Sequence, residues 1–454
     1  MHRKLLSFIL FACVGPAFSV PLTPLDRADV HVFTSLQRVE PPPKQIYMHR
    51  SPYKGCIDIN YSPYAGGEDL LSATRIAEWV ERFLLNTTPL CSSKSFYART
   101  WRLSEMALVW LPLNYFAMVV QHEVFGHGYR IRDINHGTSV AGYTLETPPP
   151  FGSGGGATMF KVGDNLTMTE YNTICSAGVE STEIMAQLTK LKWLEAGFID
   201  PRQTVLYILG QQDLTLYIGT LKALDEDEDL SGHDIHDYIQ SLNLTYTQST
   251  LTKGRLLNLN WVNLCDPFTL YSIYSWFHYI SSGKESKILM IPMWGARYLP
   301  GLRLGLSPFG PEFFLDNYLV RGNTPYYFYV KGGEHAGNTY VGLGLYAPRI
   351  FHIKKWAFGL RFDAWRQPQL LLSPGKVPLE EIDFDAEPDK ENPLYSSAQQ
   401  HQMKIGAAAS GIVFYRASPR YGGELELGYK SVGFLPGYAL RTSPVARFSM
   451  VLVF

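Results

Sequence analysis

One stretch of this sequence carries side chains whose types and spacing suit metal chemistry. Residues 118–128 read Met-Val-Val-Gln-His122-Glu123-Val-Phe-Gly126-His127-Gly128. Two imidazoles are nitrogen donors for zinc, and a glutamate beside the first can carry a proton. Four residues of α-helix turn about 400°, which sets both histidines of a His-Glu-x-x-His motif on one face. Here the histidines are five residues apart, and on a regular helix the second would swing roughly 140° away from the first. One extra residue absorbed as a π-bulge restores the common face, and Gly126 is the residue best able to tolerate it. The spacing therefore predicts a π-turn as the condition for a zinc site. The bland alternative is a buried, hydrogen-bonded His–Glu pair with no metal.

The form His-Glu-x-x-Gly-His resembles the metal motif of the dipeptidyl-peptidase III family of zinc peptidases. That resemblance covers about 60 residues and implies a gluzincin-like site, with Glu123 activating water and a glutamate on a downstream helix as third ligand. Ala177-Gly-Val-Glu180-Ser-Thr-Glu183 supplies two such residues. Glu180 is the expected ligand, and Glu183, one turn on, is the alternative ligand or a supporting partner. The family's Glu-Glu-x-Arg-Ala-Glu run is absent, so its dipeptide-trimming specificity does not carry over. Two imidazoles and one carboxylate leave zinc an open position for water, whose pKa falls from 15.7 towards about 7. His136, His233, His236 and several tyrosines are open candidates for stabilising the developing oxyanion.

The motif needs a scaffold, and the periodicity supplies two kinds. From about residue 70 to 285 apolar residues recur at a period near 3.6, predicting helices over 70–85, 104–130, 180–196, 201–224, 235–242 and 267–280. Asp266 followed by Pro267 is a good helix start. Met106–Val120 is nearly all apolar, but at fifteen residues with Pro112 inside it is short of the ~20 a membrane helix needs, so it reads as a buried helix behind the site. Residues 138–162 read as a hairpin around the loop Pro148–Gly156, whose glycines lack the Gly-Lys-Ser/Thr of a phosphate cradle. The acidic run Asp225–Asp229 has Leu230 and His236 where a calcium loop needs Gly and Glu, and reads as a solvated loop.

After about residue 290 the period becomes two. Val341, Leu343 and Leu345 alternate with glycines; Leu425, Leu427 and Tyr429 alternate with Glu424, Glu426 and Lys430. About eight strands of this kind follow, ending with Ala446, Phe448, Met450, Leu452 and Phe454 on one face. A terminal Phe preceded by alternate apolar residues resembles the C-terminal signature of Gram-negative outer-membrane barrels, and implies a closed antiparallel barrel over 296–454. Closure satisfies every backbone group without exposing an edge to lipid. The 28 Tyr, 25 Phe and 9 Trp suit the aromatic girdles of such a barrel.

Residues 1–19 have the basic start and apolar core of a signal peptide, and 20–65, with Pro41-Pro42-Pro43, read as an extended leader. Export leaves Cys56, Cys91, Cys175 and Cys265, an even number that permits two disulfides in any of three pairings. With 40 basic and 41 acidic residues, the net charge of −1 gives no footprint for nucleic acid. The expectation is an α+β chain: a helical zinc-hydrolase domain over 66–295 on the periplasmic side, and an eight-stranded outer-membrane β-barrel over 296–454. Its function would be zinc-dependent cleavage of envelope peptides or proteins, with outer-membrane lipid as the other partner. The alternative is a non-enzymatic barrel with a helical adaptor and a structural metal or none.

Overall fold

Strands whose two faces differ in character build most of the second half of the chain, and helices fill what those strands leave open. The computed structural model describes residues 53–85, 90, 93–134, 137–163, 166–223, 232–372 and 401–452. The signal segment, most of the leader, the acidic run Asp225–Asp229, Cys91 and Phe454 lie outside the described residues.

The chain opens with β1 (Tyr53–Asp58) and α1 (Pro63–Leu85), both starting inside the expected leader. A continuous helical rod follows: α2 (Phe96–Glu105), a π-turn at Met106–Trp110, α3 (Leu111–His122), a second π-turn at Glu123–His127, and α4 (Gly128–Ile134). The hairpin β2 (Ser139–Leu145) and β3 (Gly156–Lys161) then leads to α5 (Met168–Ala196). Thr167 and Glu170 form a reciprocal cap at the start of α5, and Gly197, at φ 80°, ends it. The helix thus begins twelve residues before the start expected at 180.

After the two-residue strand β4 (Phe198–Ile199) come α6 (Thr204–Gln211), α7 (Asp213–Ala223), α8 (Asp234–Thr245), α9 (Lys253–Leu264) and α10 (Pro267–Ser282). Asp266 caps α10 as expected, accepting from the Phe268 amide at 2.8 Å. Short strands β5 (Ser286–Lys287) and β6 (Ile291–Met293) precede eight long ones. These are β7 (Ala296–Ser307), β8 (Gly310–Arg321), β9 (Thr324–His335), β10 (Asn338–Ile353), β11 (Trp356–Pro368), β12 (Met403–Arg416), β13 (Tyr421–Lys430) and β14 (Ser443–Leu452).

The eight expected strands are therefore present, but they do not close. They lie in one antiparallel sheet of ten, in the order β1-β14-β13-β12-β11-β10-β9-β8-β7-β6. The closed barrel is corrected to an open sheet, and the physical reason is at its edges. The Lys54 and Cys56 amides of β1 donate to Ser72 Oγ and Asp69 Oδ1 of α1, at 2.9 and 2.6 Å. At the other end, beyond the short β6, the Leu304 amide of β7 donates to Asn263 Oδ1 of α9 at 2.7 Å. Helix side chains do at both edges what a neighbouring strand would do in a barrel.

Helices and sheet also share their interior. Val179, Leu214 and Ile218 pack in one cluster with Leu304, Leu306, Phe309 and Tyr340. The boundary at residue 296 is thus a change of secondary structure within one core. Cys56, Cys175 and Cys265 are free thiols, so no disulfide joins described cysteines. All but four residues of α5 are buried, and its later turns are tied to the sheet by the Glu183–Arg303 ion pair and the Tyr318–Gln187 hydrogen bond.

Candidate metal centre

The second π-turn spans Glu123–His127, where the five-residue spacing requires it. With the extra residue absorbed there, the His122 and His127 rings stand 5.0 Å apart between centroids on the same side of the rod. Gly126 allows the turn to form against α5: a Cβ there would lie 2.7 Å from the Ala177 carbonyl oxygen and 2.8 Å from Gly178 Cα. Gly178 in turn leaves room for the His122 ring, which a Cβ would overlap. Two glycines facing each other let the rod and α5 touch backbone to backbone at the site.

The third donor is Asp234, the first residue of α8. Its Oδ2 lies 3.1 Å from His122 Nε2 and 3.1 Å from His127 Nε2. These three atoms are the one group of three or more possible metal-ligand residues among the described residues, all within 4.8 Å of one another. Bonds of about 2.0–2.2 Å in a tetrahedral site put neighbouring donor atoms roughly 3.3 Å apart, close to the separations found. The far nitrogen of each ring is also engaged. His122 Nδ1 pairs with Asp213 Oδ2 at 2.9 Å, and His127 Nδ1 with the Ile174 carbonyl at 2.8 Å. Such partners fix the ring orientation from the Nδ1 side, so that an ion bound here would take the place of the protons that each Nε2 otherwise shares with Asp234. Asp213 is itself held by the Thr182 hydroxyl at 2.7 Å. Burial alone would raise the Asp234 carboxyl, but the His127 and His122 rings outweigh it and hold it well below the usual carboxylate range. A ready anionic donor facing two oriented imidazoles suits zinc.

Glu123 is 4 % exposed and lies under the hairpin, its Oε2 accepting from the Thr158 hydroxyl of β3 at 2.6 Å. Gly156 of the same strand leaves space for it, since a Cβ there would come within 2.9 Å of Glu123 Cγ. Tyr217 of α7 stacks on the His122 ring, with its hydroxyl 3.0 Å from Nε2. Burial, and then the Asp234 charge, push the Tyr217 phenol well above its ordinary value, so it remains a proton donor.

The structure does not bring the two expected glutamates to this group. Glu180 is bound to Arg130, with its Oε2 3.1 Å from the guanidinium Nε, and to the Gly437 amide at 2.6 Å. Glu183 pairs with Arg303 at 3.2 Å. The reason is helical phase. Gly178 faces the imidazoles, so residues two and five positions later point about 200° and 140° away. Asp234 escaped sequence reading because it follows the acidic run, where short-range pattern marks only a helix start. Tyr217, not His233 or His236, is the polar ring against His122 Nε2, although Asp234 stands beside His233. The resemblance to the dipeptidyl-peptidase III motif thus rests on His122, Glu123 and His127. Comparison with family models, with curated proteins and with solved structures found no match for this chain.

Proposed function

We propose that this protein is a zinc-dependent peptidase embedded in the bacterial outer membrane, with His122, His127 and Asp234 as ligands and Glu123 as general base. The observation that carries this reading is the convergence of both Nε2 atoms on one Asp234 oxygen, with the opposite ring nitrogens held by Asp213 and Ile174. Zinc bound there supplies Lewis acidity and brings the pKa of water near neutrality. Glu123, one residue from the first ligand, takes the proton of the attacking water and passes it to the leaving amine. Thr158 orients that carboxylate, and the Tyr217 hydroxyl donates to the oxygen on which negative charge develops.

The membrane part of the reading is supported by the sheet's inverted faces. Val341, Leu343, Leu425, Leu427, Phe448 and Met450 are exposed, whereas Lys331–Glu312, Arg303–Asp316 and Arg447–Glu426 pair inside. Side is argued from the turns. The strand end where β14 stops carries connections of two to four residues, as at 322–323, 354–355 and 417–420. The opposite end carries two-residue turns at 308–309 and 336–337 and both long connections, 369–402 and 431–442; Arg130, three residues after His127, binds the Tyr438 carbonyl there. Outer-membrane barrels keep short turns in the periplasm and long loops outside. By that rule the metal group opens towards the cell exterior, in place of the periplasmic side expected from the sequence.

The test is direct. Purified full-length protein should hold one zinc per chain and cleave members of a mixed peptide library. Glu123→Gln should keep the zinc and lose the cleavage. Hydrolysis retained in that variant ends the general-base assignment; zinc bound with no hydrolysis by the parent leaves a structural metal.

A further inference from the structure

The helices at the open edges of the sheet are inverted in the same sense as the strands. On α10, Leu270, Ile273, Tyr274 and Phe277 are exposed at i, i+3, i+4 and i+7, a single stripe along one face. The opposite face buries Thr269, Ser272 and Ser275 together with Phe268 and Tyr279. On α1, Ile76, Val80 and Phe83 are exposed, while Glu68, Ser72, Thr74, Arg75 and Glu78 are buried. The rod exposes Leu103, Leu108, Val109 and Phe116, and Phe96–Ile134 is 39 residues long and apolar enough to cross a membrane. An amphipathic helix in water points its polar face outwards. These three do the reverse, with Phe83 71 % and Phe277 61 % exposed.

The same helices touch one another and both sheet edges. Met106 and Trp110 of the rod, Tyr279 of α10 and Ala77 of α1 meet in one cluster. α1 bonds the backbone of β1, and Phe268 of α10 packs with Leu299 and Tyr318 of β7 and β8. Going round the molecule, the order is sheet, α1, rod, α10, sheet. Inside that ring the charged groups find partners: Arg202 with Glu81, Arg82 with Glu285, and Lys190 with Asp266. A cavity of about 80 Å³ lined by Arg303, Arg361, Glu426 and Arg447 lies between α5 and the sheet.

From this we infer that α1, the rod and α10 complete the wall that the sheet leaves open, and that their apolar stripes face lipid acyl chains. The inference rests on the membrane reading above and extends it from strands to helices. Its ground is the requirement that no backbone group meet hydrocarbon unbonded, so an open sheet is tolerated in lipid only where its edges are covered. The bonds from Ser72, Asp69 and Asn263 meet that requirement at Lys54, Cys56 and Leu304. A charge facing the bilayer centre is costly, and the exposed charge on the rod, Arg99, sits in its first turn, where a helix end meets the interface. The acyl chains are argued from continuity with the sheet's apolar outer face. The metal group then lies inside a mixed helix-and-strand wall, reached from the end that bears the long loops.

The experiment uses the full chain, with its native cysteines replaced by serine, in vesicles of phosphatidylcholine and phosphatidylglycerol. Single cysteines are placed on the sheet (Leu343→Cys, Leu427→Cys) and on the helices (Val80→Cys, Leu108→Cys, Ile273→Cys, Phe277→Cys), then spin-labelled. Relaxation by oxygen, which partitions into lipid, is compared with relaxation by a water-soluble nickel chelate. Oxygen should dominate at all six positions. If oxygen dominates on the sheet but nickel on the helices, the helices stand in water: the inference is overturned and the membrane reading survives. Nickel dominating everywhere overturns both. Helix labels reached by neither reagent indicate contact with another protein surface and also overturn the inference.

Discussion

Gly178→Ala tests the metal centre at the point where its geometry is tightest. A Cβ at position 178 would sit inside the His122 ring, more than about 1 Å closer to Nε2 than the 3.4 Å at which ordinary contact begins. Moving the helices apart instead would open the backbone-to-backbone contact of Gly126 with Gly178 and the Ala177 carbonyl. The ring must move by about 1 Å, several times the ~0.2 Å within which metal–ligand distances hold. His122 is then lost as a ligand and two donors remain. We expect the zinc affinity to fall at least about 100-fold, roughly 2.7 kcal/mol. Competition titration against a chromophoric chelator reads that loss. Overpacking should add about 1–3 kcal/mol of destabilisation without metal, seen as a lower melting temperature. The parent should also gain stability on zinc addition, about 2.7 kcal/mol at 100 times its dissociation constant, and the variant should not. Gly219→Ala is the control: it lies in α7, nothing stands within 4 Å of its Cβ, and alanine favours helix. If Gly178→Ala binds stoichiometric zinc with the parent's affinity, His122 is not a ligand and the assigned site fails.

Four further expectations follow from the structure. Asp234→Ala should lose zinc and also lower the metal-free melting temperature, because the carboxylate that both imidazoles hold is gone. Glu180→Gln should keep zinc but melt lower by about 3–5 kcal/mol, because it strips the buried Arg130 of its counter-charge; inductively coupled plasma mass spectrometry and thermal melts separate the two. Tyr217→Phe should retain zinc and KM while kcat drops about 10²–10³-fold, and an unchanged kcat would remove Tyr217 from the reaction. An epitope inserted within residues 373–400 should be recognised by antibody on intact cells, and one inserted at 417–420 only after permeabilisation; the opposite pattern reverses the orientation.

The parts of this molecule that could be read from sequence are those governed by short-range geometry. The π-turn at Glu123–His127 followed from counting degrees per residue between two histidines. The strands followed from alternation, which any half-buried sheet imposes on its own residues. What could not be read depends on residues far apart in the chain. Asp234 stands 107 residues after His127, and it became the third donor because α8 packs on α5. Glu180 looked better placed by spacing, but its side chain is on the wrong side of α5 and was claimed by Arg130. Barrel closure is likewise decided at the edges, by Ser72, Asp69 and Asn263, single polar residues in helices with no period to announce them. α9 was missed for a related reason: Asn260 and Asn263 interrupt its buried face of Leu256, so its apolar pattern is weak.

The position of the metal motif within its helix has a physical logic that joins the two readings. Between Phe96 and Phe116 the rod's exposed residues are mostly apolar, whereas from Gln121 to Arg130 its buried residues include Gln121, His122, Glu123, His127 and Arg130. Most of the buried polar groups in the second part have a partner inside. Gln121 donates to the Pro63 and Ser181 carbonyls, Arg130 binds Glu180, and the histidines face Asp213 and Asp234. In hydrocarbon an unbonded polar group costs several kcal/mol, so a segment with this many must lie where partners exist. The change falls between Phe116 and Gln121, and further along the rod Arg130 binds the Tyr438 carbonyl in the long connection 431–442. A metal bound beyond that point needs ligands already fixed by the surrounding structure, and Asp213, Thr182 and the Ile174 carbonyl supply that fixing from α7 and α5. On the proposed membrane reading, the inverted wall and the oriented imidazoles are two consequences of one arrangement, in which polar groups have no favourable place except the interior.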